Sequence, residues 1–572
     1  MKKTAVIFSL LAPLLSSSAN SKPLQYEQVI DIDVIIRQVI SVDTHPFLDN
    51  KVFQSYKKVL DDLYFLSPQH LLWIDPQKSA HQKVTSVLKL ISNANASGLN
   101  PEHYNLTDLT NHWQQLKNKQ TVSYTDLARL DTAISINLIH FLSDLHFGRI
   151  NPLTLAPNYN SKKNAFSLIP VILEAIAKDE VSLLSSQVEP SNTAYHQLKK
   201  VLLEYKNKER SQVIKNLPYI TSIRPDDLSP QIIEIRQQLN LFGISSDENN
   251  PSFLYDQKLV TQIKRLQFLH GLKEDGIIGK NTIKALNTPI SQRIQKIKLA
   301  LERFRWLPKT ESDHLIMVNI PAFQLTAYHP DSNNKDTPQT LDMKVIVGKS
   351  KDTKSPVFTA NMYYLEFSPY WNIPKSITFD EILPKLQEDP LYLEQHNMEL
   401  VTEFHNDAIA LPYEEDSFSQ LQSGELRLRQ RPGKDNSLGR VKFIFPNNYN
   451  VYLHDTPSRH LFRKTKRDLS HGCIRVEKPT ELARFLLQTK RGWDKKEIAK
   501  AMQLSSPKKV RLKKAVPVII YYSTASIVQG EVVFYNDIYN YDAKLNTALT
   551  EHNKLPIIPL AKANDSLLPN KL

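Results

Sequence analysis

The hydrophobic residues of this chain change their spacing once, close to Pro308, and that change limits the folds open to it. Before it, apolar residues recur every three or four positions: Val84, Val87, Leu88 and Ile91 form one stripe, and Leu127, Leu130, Ile134, Leu138, Phe141 and Leu145 form another. That spacing collects them on one face of a helix. After it they alternate, in Val318 and Ile320, Leu325 and Ala327, Leu341 to Val347, and Val441, Phe443 and Phe445, as half-buried strands require. At 572 residues the chain also exceeds what one hydrophobic core ordinarily supports. The pattern predicts a multidomain α+β protein, with a helical scaffold over 50–225, a three-helix module over 226–290, a β-rich domain over 310–500 and C-terminal strands over 510–545 packing on it. A polar stretch from Pro374 to Arg440, broken by Pro384, Pro390, Pro412 and Pro432, reads as a lid insertion at about 375–440.

Met1-Lys2-Lys3 precedes an apolar run from Thr4 to Leu15, and Ser16-Ser17-Ser18-Ala19 supplies small residues for a cut after Ala19. Residues 1–19 thus read as a signal peptide whose apolar core is short for a bilayer span. The expected location is the periplasm, with no integral membrane span after cleavage, or a tether to the inner membrane if the leader stays. Lys plus Arg total 72 against 59 Asp plus Glu, which favours an acidic partner. Export argues against nucleic acid and leaves anionic lipid or a carboxylate-rich cell wall.

Cys473 is the single cysteine, so an internal disulfide is impossible and the thiol is a bystander, an intermolecular link or a reactive group. Strand alternation in Tyr449 to Asp455 puts Val451 and Leu453 on one face and Tyr452 and His454 on the other. The same alternation in Ser470-His471-Gly472-Cys473-Ile474-Arg475-Val476 sends Ile474 and Val476 to the core and leaves Cys473 beside Arg475. Two such strands bring Tyr, His, Cys and Arg together. An imidazole and a guanidinium near a thiol are expected to lower its pKa, and His454 can take the thiol proton and return it to a leaving amine. The amides of Gly472 and Cys473, with the Tyr452 hydroxyl, are candidate oxyanion donors. Zinc held by His454, His471 and Cys473, with Asp455 or His460, is the competing reading, but the His-Gly-Cys spacing fits no common zinc motif.

Two resemblances add to this. The 228–286 segment, with Arg236, Gln238-Leu239, Gly243, Tyr255, Gln267, His270-Gly271-Leu272, Asp275-Gly276-Ile277-Ile278-Gly279 and Thr282, closely resembles a peptidoglycan-binding domain. His454-Asp455-Thr456-Pro457, followed by Ser470-His471-Gly472-Cys473-Ile474-Arg475-Val476, resembles the signature of the L,D-transpeptidase family, in its large branch with a helical scaffold and a lidded catalytic domain. The resemblance implies Cys473 as nucleophile and His454 as proton carrier, with Ser470 and His471 in support. Arg475 stands where many relatives have Asn. It further implies 3→3 cross-linking of peptidoglycan stem peptides through a thioester, with release of D-alanine, without cofactor or metal, and acylation by carbapenem inhibitors. Tyr370, Trp371 and Asn372, at the lid edge, are candidates for touching the donor stem. An L,D-carboxypeptidase using the same acyl-enzyme and a non-catalytic scaffold that binds peptidoglycan glycan are the alternatives.

Overall fold

The computed structural model describes residues 31–551 and the strand Gln25–Tyr26, apart from 68–69, 77–80, 156–165, 212–214, 245–249, 309–313 and 330–338. The expected leader lies outside the described residues.

The N-terminal helices gather around α1 (Tyr124–Phe147), which is buried on nearly every side. Both predicted stripes enter this core, and the helix Ile32–Ser41, ahead of the expected start at 50, joins it through Ile35, Ile36 and Val39. Asp131, in the middle of α1, accepts the backbone amides of Leu72, Trp73 and Ile74 at 3.0, 2.9 and 3.1 Å. A buried carboxylate here satisfies three amides that would otherwise be stranded in the core. The later helix α2 (Thr193–Ser211) leaves this core and packs instead on the helix Ile290–Trp306.

The three-helix module follows as α3 (Gln231–Leu241), α4 (Gln257–Leu269) and α5 (Lys280–Leu286), closed over Ile232, Ile235, Leu239, Leu259, Ile263 and Leu266. Gln267 binds the Asp275-Gly276-Ile277 turn from both ends of its amide, donating to the Ile277 carbonyl (3.0 Å) and accepting from the Gly276 amide (2.9 Å). Buried Arg236 donates to the Leu254 carbonyl and to Asp256. The motif residues are thus the polar pins of the module.

A helix the hydrophobic pattern does not announce, α6 (Ile290–Trp306), joins all these parts. Its charges mask its periodicity: Arg293, Glu302, Arg303 and Arg305 are all buried, and each has a specific partner. Glu302 accepts the Ile150 amide at 2.9 Å and pairs with Arg305 at 3.0 Å, while Arg303 pairs with Asp542 at 2.5 Å.

The β-rich domain is a closed sheet. Its strands are β1 (Leu315–Asn319), β2 (Gln324–His329), β3 (Gln339–Gly348), β4 (Phe358–Phe367), β8 (Val441–Ile444), β9 (Leu453–His454), β10 (Asp468–Ser470), β11 (Ile474–Val476) and β12 (Lys508–Tyr521), with β5 to β7 in the insertion. Among the described residues the order is β10-β3-β11-β9-β8-β4-β12-β1-β2, and an added β2–β3 pairing closes the ring. The alternating residues singled out in the sequence fill its core.

The expectation for the C-terminal strands needs correction, whereas the lid insertion expected at about 375–440 forms an ordered subdomain. Its sheet of β5 (Trp371–Asn372), β7 (Arg427–Gln430) and β6 (Met398–Val401) packs with short helices over Ile373, Leu383, Leu386, Leu400 and Leu428. The C-terminal strands do not all join the barrel. Val516 to Tyr521 does, within β12, whereas β13 (Ala525–Val528) and β14 (Glu531–Phe534) form a separate hairpin whose Ala525, Val532 and Phe534 bury against α2 and α6. Tyr541–Glu551 then continues as a helix, α7, rather than as strand.

Candidate active site

β9 and β11 run parallel, with Leu453 opposite Ile474 and His454 opposite Arg475. Leu453, Ile474 and Val476 are fully buried in the barrel core, so alternation turns Tyr452, His454, Cys473 and Arg475 to the other face. The Ile474 amide donates to the Tyr452 carbonyl at 3.1 Å, which sets Cys473 beside Tyr452. The Tyr452 and His454 rings meet edge to face at 5.7 Å.

The loop carrying the thiol is held from behind. Ser470 Oγ donates to the Cys473 carbonyl (2.5 Å) and accepts the Gly472 amide (3.2 Å). The expected role of the Gly472 amide in an oxyanion hole is therefore corrected: that donor is already engaged. Gly472 has φ +111°, a conformation L side chains rarely adopt, and its carbonyl accepts Ser355 Oγ at 2.7 Å. Thr353 Oγ1 donates to the Ser470 carbonyl at 3.0 Å. Behind them, the Tyr539 hydroxyl accepts the Ser355 amide (3.1 Å) and donates to the Gly348 carbonyl (2.6 Å). Thr353, Ser355 and Tyr539 were not singled out in the sequence, and no motif marks them.

His454 is buried, and its Nδ1 lies 2.6 Å from the Asp455 carbonyl oxygen. A carbonyl requires a proton on Nδ1, which leaves Nε2 as the basic nitrogen. Burial, with Arg475 and then Lys442 nearby, lowers the His454 pKa to about 3, so the imidazole is neutral at physiological pH. The thiol departs from expectation. Burial pushes Cys473 up, and contacts from Tyr452 with the charges of Lys442 and Arg475 only partly oppose it. Its sulfur lies 3.8 Å from the Asn450 carbonyl oxygen. The resting thiol and the imidazole are both neutral, and at Cys473 desolvation of the thiolate outweighs two nearby cations.

Asp455 is structural here. Its carboxylate accepts the amides of Thr456 (2.7 Å) and Arg440 (2.8 Å) and pairs with Arg459 (2.8 Å), fixing the turn after His454. His471 reaches the insertion, with Nε2 2.6 Å from Glu381 Oε1. Tyr370 and Trp371 are engaged by the insertion itself: the Arg429 guanidinium lies 4.0 Å from the Tyr370 ring, and Trp371 packs on the insertion's core. Asn372 is exposed on β5 and pairs in register with Arg429. Among the described residues no group of three His, Cys, Asp or Glu is arranged to hold a metal ion. Lys442 is the residue at the site that the sequence reading passed over. Its signal was present: with Val441 and Phe443 directed inward, Lys442 must face outward.

Residues 313–520 match the family model described as an L,D-transpeptidase catalytic domain. The chain carries an L,D-transpeptidase catalytic domain. Residues 58–202 match the model of a scaffold domain, and 229–286 match one described as “Putative peptidoglycan binding domain”. A Haemophilus influenzae protein named “Putative L,D-transpeptidase” is 34% identical over 290 residues, which span 50% of this chain and 56% of the relative's length. Every residue of the site built above lies within the matched transpeptidase domain, except Tyr539, which reaches it from the C-terminal segment.

Proposed function

We propose that the protein is an exported enzyme that forms 3→3 cross-links in peptidoglycan through a thioester on Cys473. The observation that carries the reading is the shared outer face of β9 and β11, which carries Cys473, Tyr452 beside the thiol, and the neutral His454 against the Tyr452 ring. In the acylation step the Cys473 sulfur attacks the carbonyl carbon of the third stem residue as His454 Nε2 takes the thiol proton. The carbon–nitrogen bond to the terminal D-alanine breaks, and the same proton passes to the leaving amine. In the second step the side-chain amine of another stem attacks the thioester, the carbon–sulfur bond breaks, and the amine's proton returns through His454 to the sulfur. With the Gly472 amide engaged, the Cys473 amide and the Tyr452 hydroxyl are the oxyanion donors.

The peptidoglycan-binding match supports the wall as substrate, and no helix among the described residues is long and apolar enough to cross a membrane. The signal-peptide reading of residues 1–19 assigns the periplasm. Carbapenems, as acylating agents, are expected to add their mass to Cys473. Incubation of the protein with disaccharide-tetrapeptide, read by mass spectrometry, tests the function: dimers formed with loss of D-alanine are expected. Tripeptide monomers alone would show a carboxypeptidase, and unchanged substrate would leave a wall-binding scaffold.

A further inference from the structure

Strand register lines up charged residues across the sheet beside the thiol. Lys509 on β12 lies opposite Glu366 on β4, Glu366 opposite Lys442 on β8, Lys442 opposite His454, and His454 opposite Arg475 on β11. Direct partners in adjacent strands share a face, so all five side chains stand on the outer surface that carries Cys473. The two cations flanking the site, Lys442 and Arg475, are only partly exposed. Neither makes an ion pair or a hydrogen bond among the described residues, and Arg475 Nε is buried without a partner. The Lys442 ammonium has an aromatic contact instead, 4.0 Å from the centre of the Tyr452 ring. Lys509 likewise stands over Tyr364, at 4.5 Å. Glu366 acts on Lys442 through its field but forms no ion pair with it.

Elsewhere the buried arginines are hydrogen-bonded: Arg305, Arg429 and Arg303 pair with Glu302, Glu399 and Asp542, and Arg293 and Arg467 donate to backbone carbonyls. Two partly desolvated cations without a hydrogen-bonded carboxylate, both facing the nucleophile, make a place suited to an anion. A guanidinium is suited to a carboxylate, which it can meet with two parallel hydrogen bonds. His454, lying between them in register, is neutral and supplies no negative charge. Resting on the transpeptidase reading, we propose that Lys442 and Arg475 form a carboxylate clamp that holds a free carboxylate of the donor stem peptide and so seats the scissile carbonyl over Cys473. We assign to it one of the two carboxylates that flank the scissile bond: that of the terminal D-amino acid or that on the side chain of the third residue.

Binding measured on the full chain bearing Cys473→Ala tests the clamp without turnover. Three probes are titrated calorimetrically: disaccharide-tetrapeptide, the same molecule with its terminal carboxyl as carboxamide, and the same molecule with the third-residue carboxyl amidated. Amidating one of the two is expected to weaken binding by about tenfold to a hundredfold, as loss of a charge-assisted contact does, and which one identifies the group held. Adding Lys442→Met or Arg475→Met should weaken the acid form and erase the difference between acid and amide, while Lys442→Arg preserves it. Equal binding of all three probes, or no measurable binding of the acid, overturns the clamp. Acid-selective binding in a protein whose wild type forms no dimers would retain the clamp and overturn the transpeptidase reading alone.

Discussion

At Cys473 and His454 the electrostatics set the pH behaviour. The imidazole is held to about 3 by burial, and burial raises the thiol, so the neutral pair is the reactive form over a wide range. Acylation by a carbapenem should therefore vary little between about pH 5 and pH 8, with no inflection near the ordinary histidine value of about 6.5. A clear acid limb near that value in stopped-flow acylation would contradict the assignment. Tyr452→Phe removes one oxyanion donor and should slow acylation by about a hundredfold while leaving the melting temperature nearly unchanged. Gly439 is a second sensitive point. It has φ +64°, and a Cβ there would sit 2.4 Å from Asp455 Cγ. Gly439→Ala should displace the turn that holds His454 and lower the acylation rate, with circular dichroism unchanged.

At the scale of elements, the site was legible where alternation decides it. Leu453, Ile474 and Val476 are apolar and buried, so their neighbours Tyr452, His454, Cys473 and Arg475 had to share the opposite face, and they do. What joins strands distant in sequence was not legible. The row from Lys509 to Arg475 depends on the register of five strands, and the support from Ser355 and Tyr539 depends on where loops return. The internal order of the insertion was not legible for another reason: its core residues are spread over short elements with no sustained period. Within it, buried Arg429 is paired with Glu399 at 2.6 Å and donates to the Ala408 carbonyl at 2.9 Å. Glu399→Ala leaves a buried guanidinium without its carboxylate, a change that ordinarily costs about 3–5 kcal/mol. Limited proteolysis of that variant should open the insertion first while the barrel stays intact. Glu381, which carries the contact from the insertion to His471, stands beside the nucleophile loop. Deletion of Ile382 to Gly424 should accordingly reduce turnover more than it reduces the melting temperature.

For the molecule as a whole, α6 ties the scaffold to the barrel by charges the sequence presents as a solvated face. Their burial in pairs is what concealed the helix. Glu302→Ala strands Arg305 in the interior and should destabilise the protein by about 3–5 kcal/mol in denaturant titration, against less than 1 kcal/mol for an exposed pair such as Lys58–Asp62. Global stability should also depend on pH. His45, His140 and His454 are held by burial to about 4, 3 and 3, so the unfolded chain binds more protons than the folded one below the ordinary histidine value. Each removes stability as pH falls through that window, by up to about 1.4 kcal/mol per pH unit. Asp144, raised by burial to about 7, works the other way: its contribution is present at low pH and is lost as pH rises toward neutrality. His81 and His270 are lowered by burial too, and Asp131 is raised like Asp144, so the histidines outnumber the carboxyls; the melting temperature should fall between pH 7 and pH 5, and a flat profile would contradict the neutral burial of the histidines.

The central claim, that the chemistry passes through a thioester on Cys473, is tested most directly by intact-mass spectrometry of the protein quenched in acid shortly after mixing with disaccharide-tetrapeptide. The expected result is an adduct equal to the donor minus D-alanine, mapped by proteolysis to the peptide containing Cys473 and absent from Cys473→Ala. Dimer formation by Cys473→Ala, or an adduct carried on another residue, would contradict it.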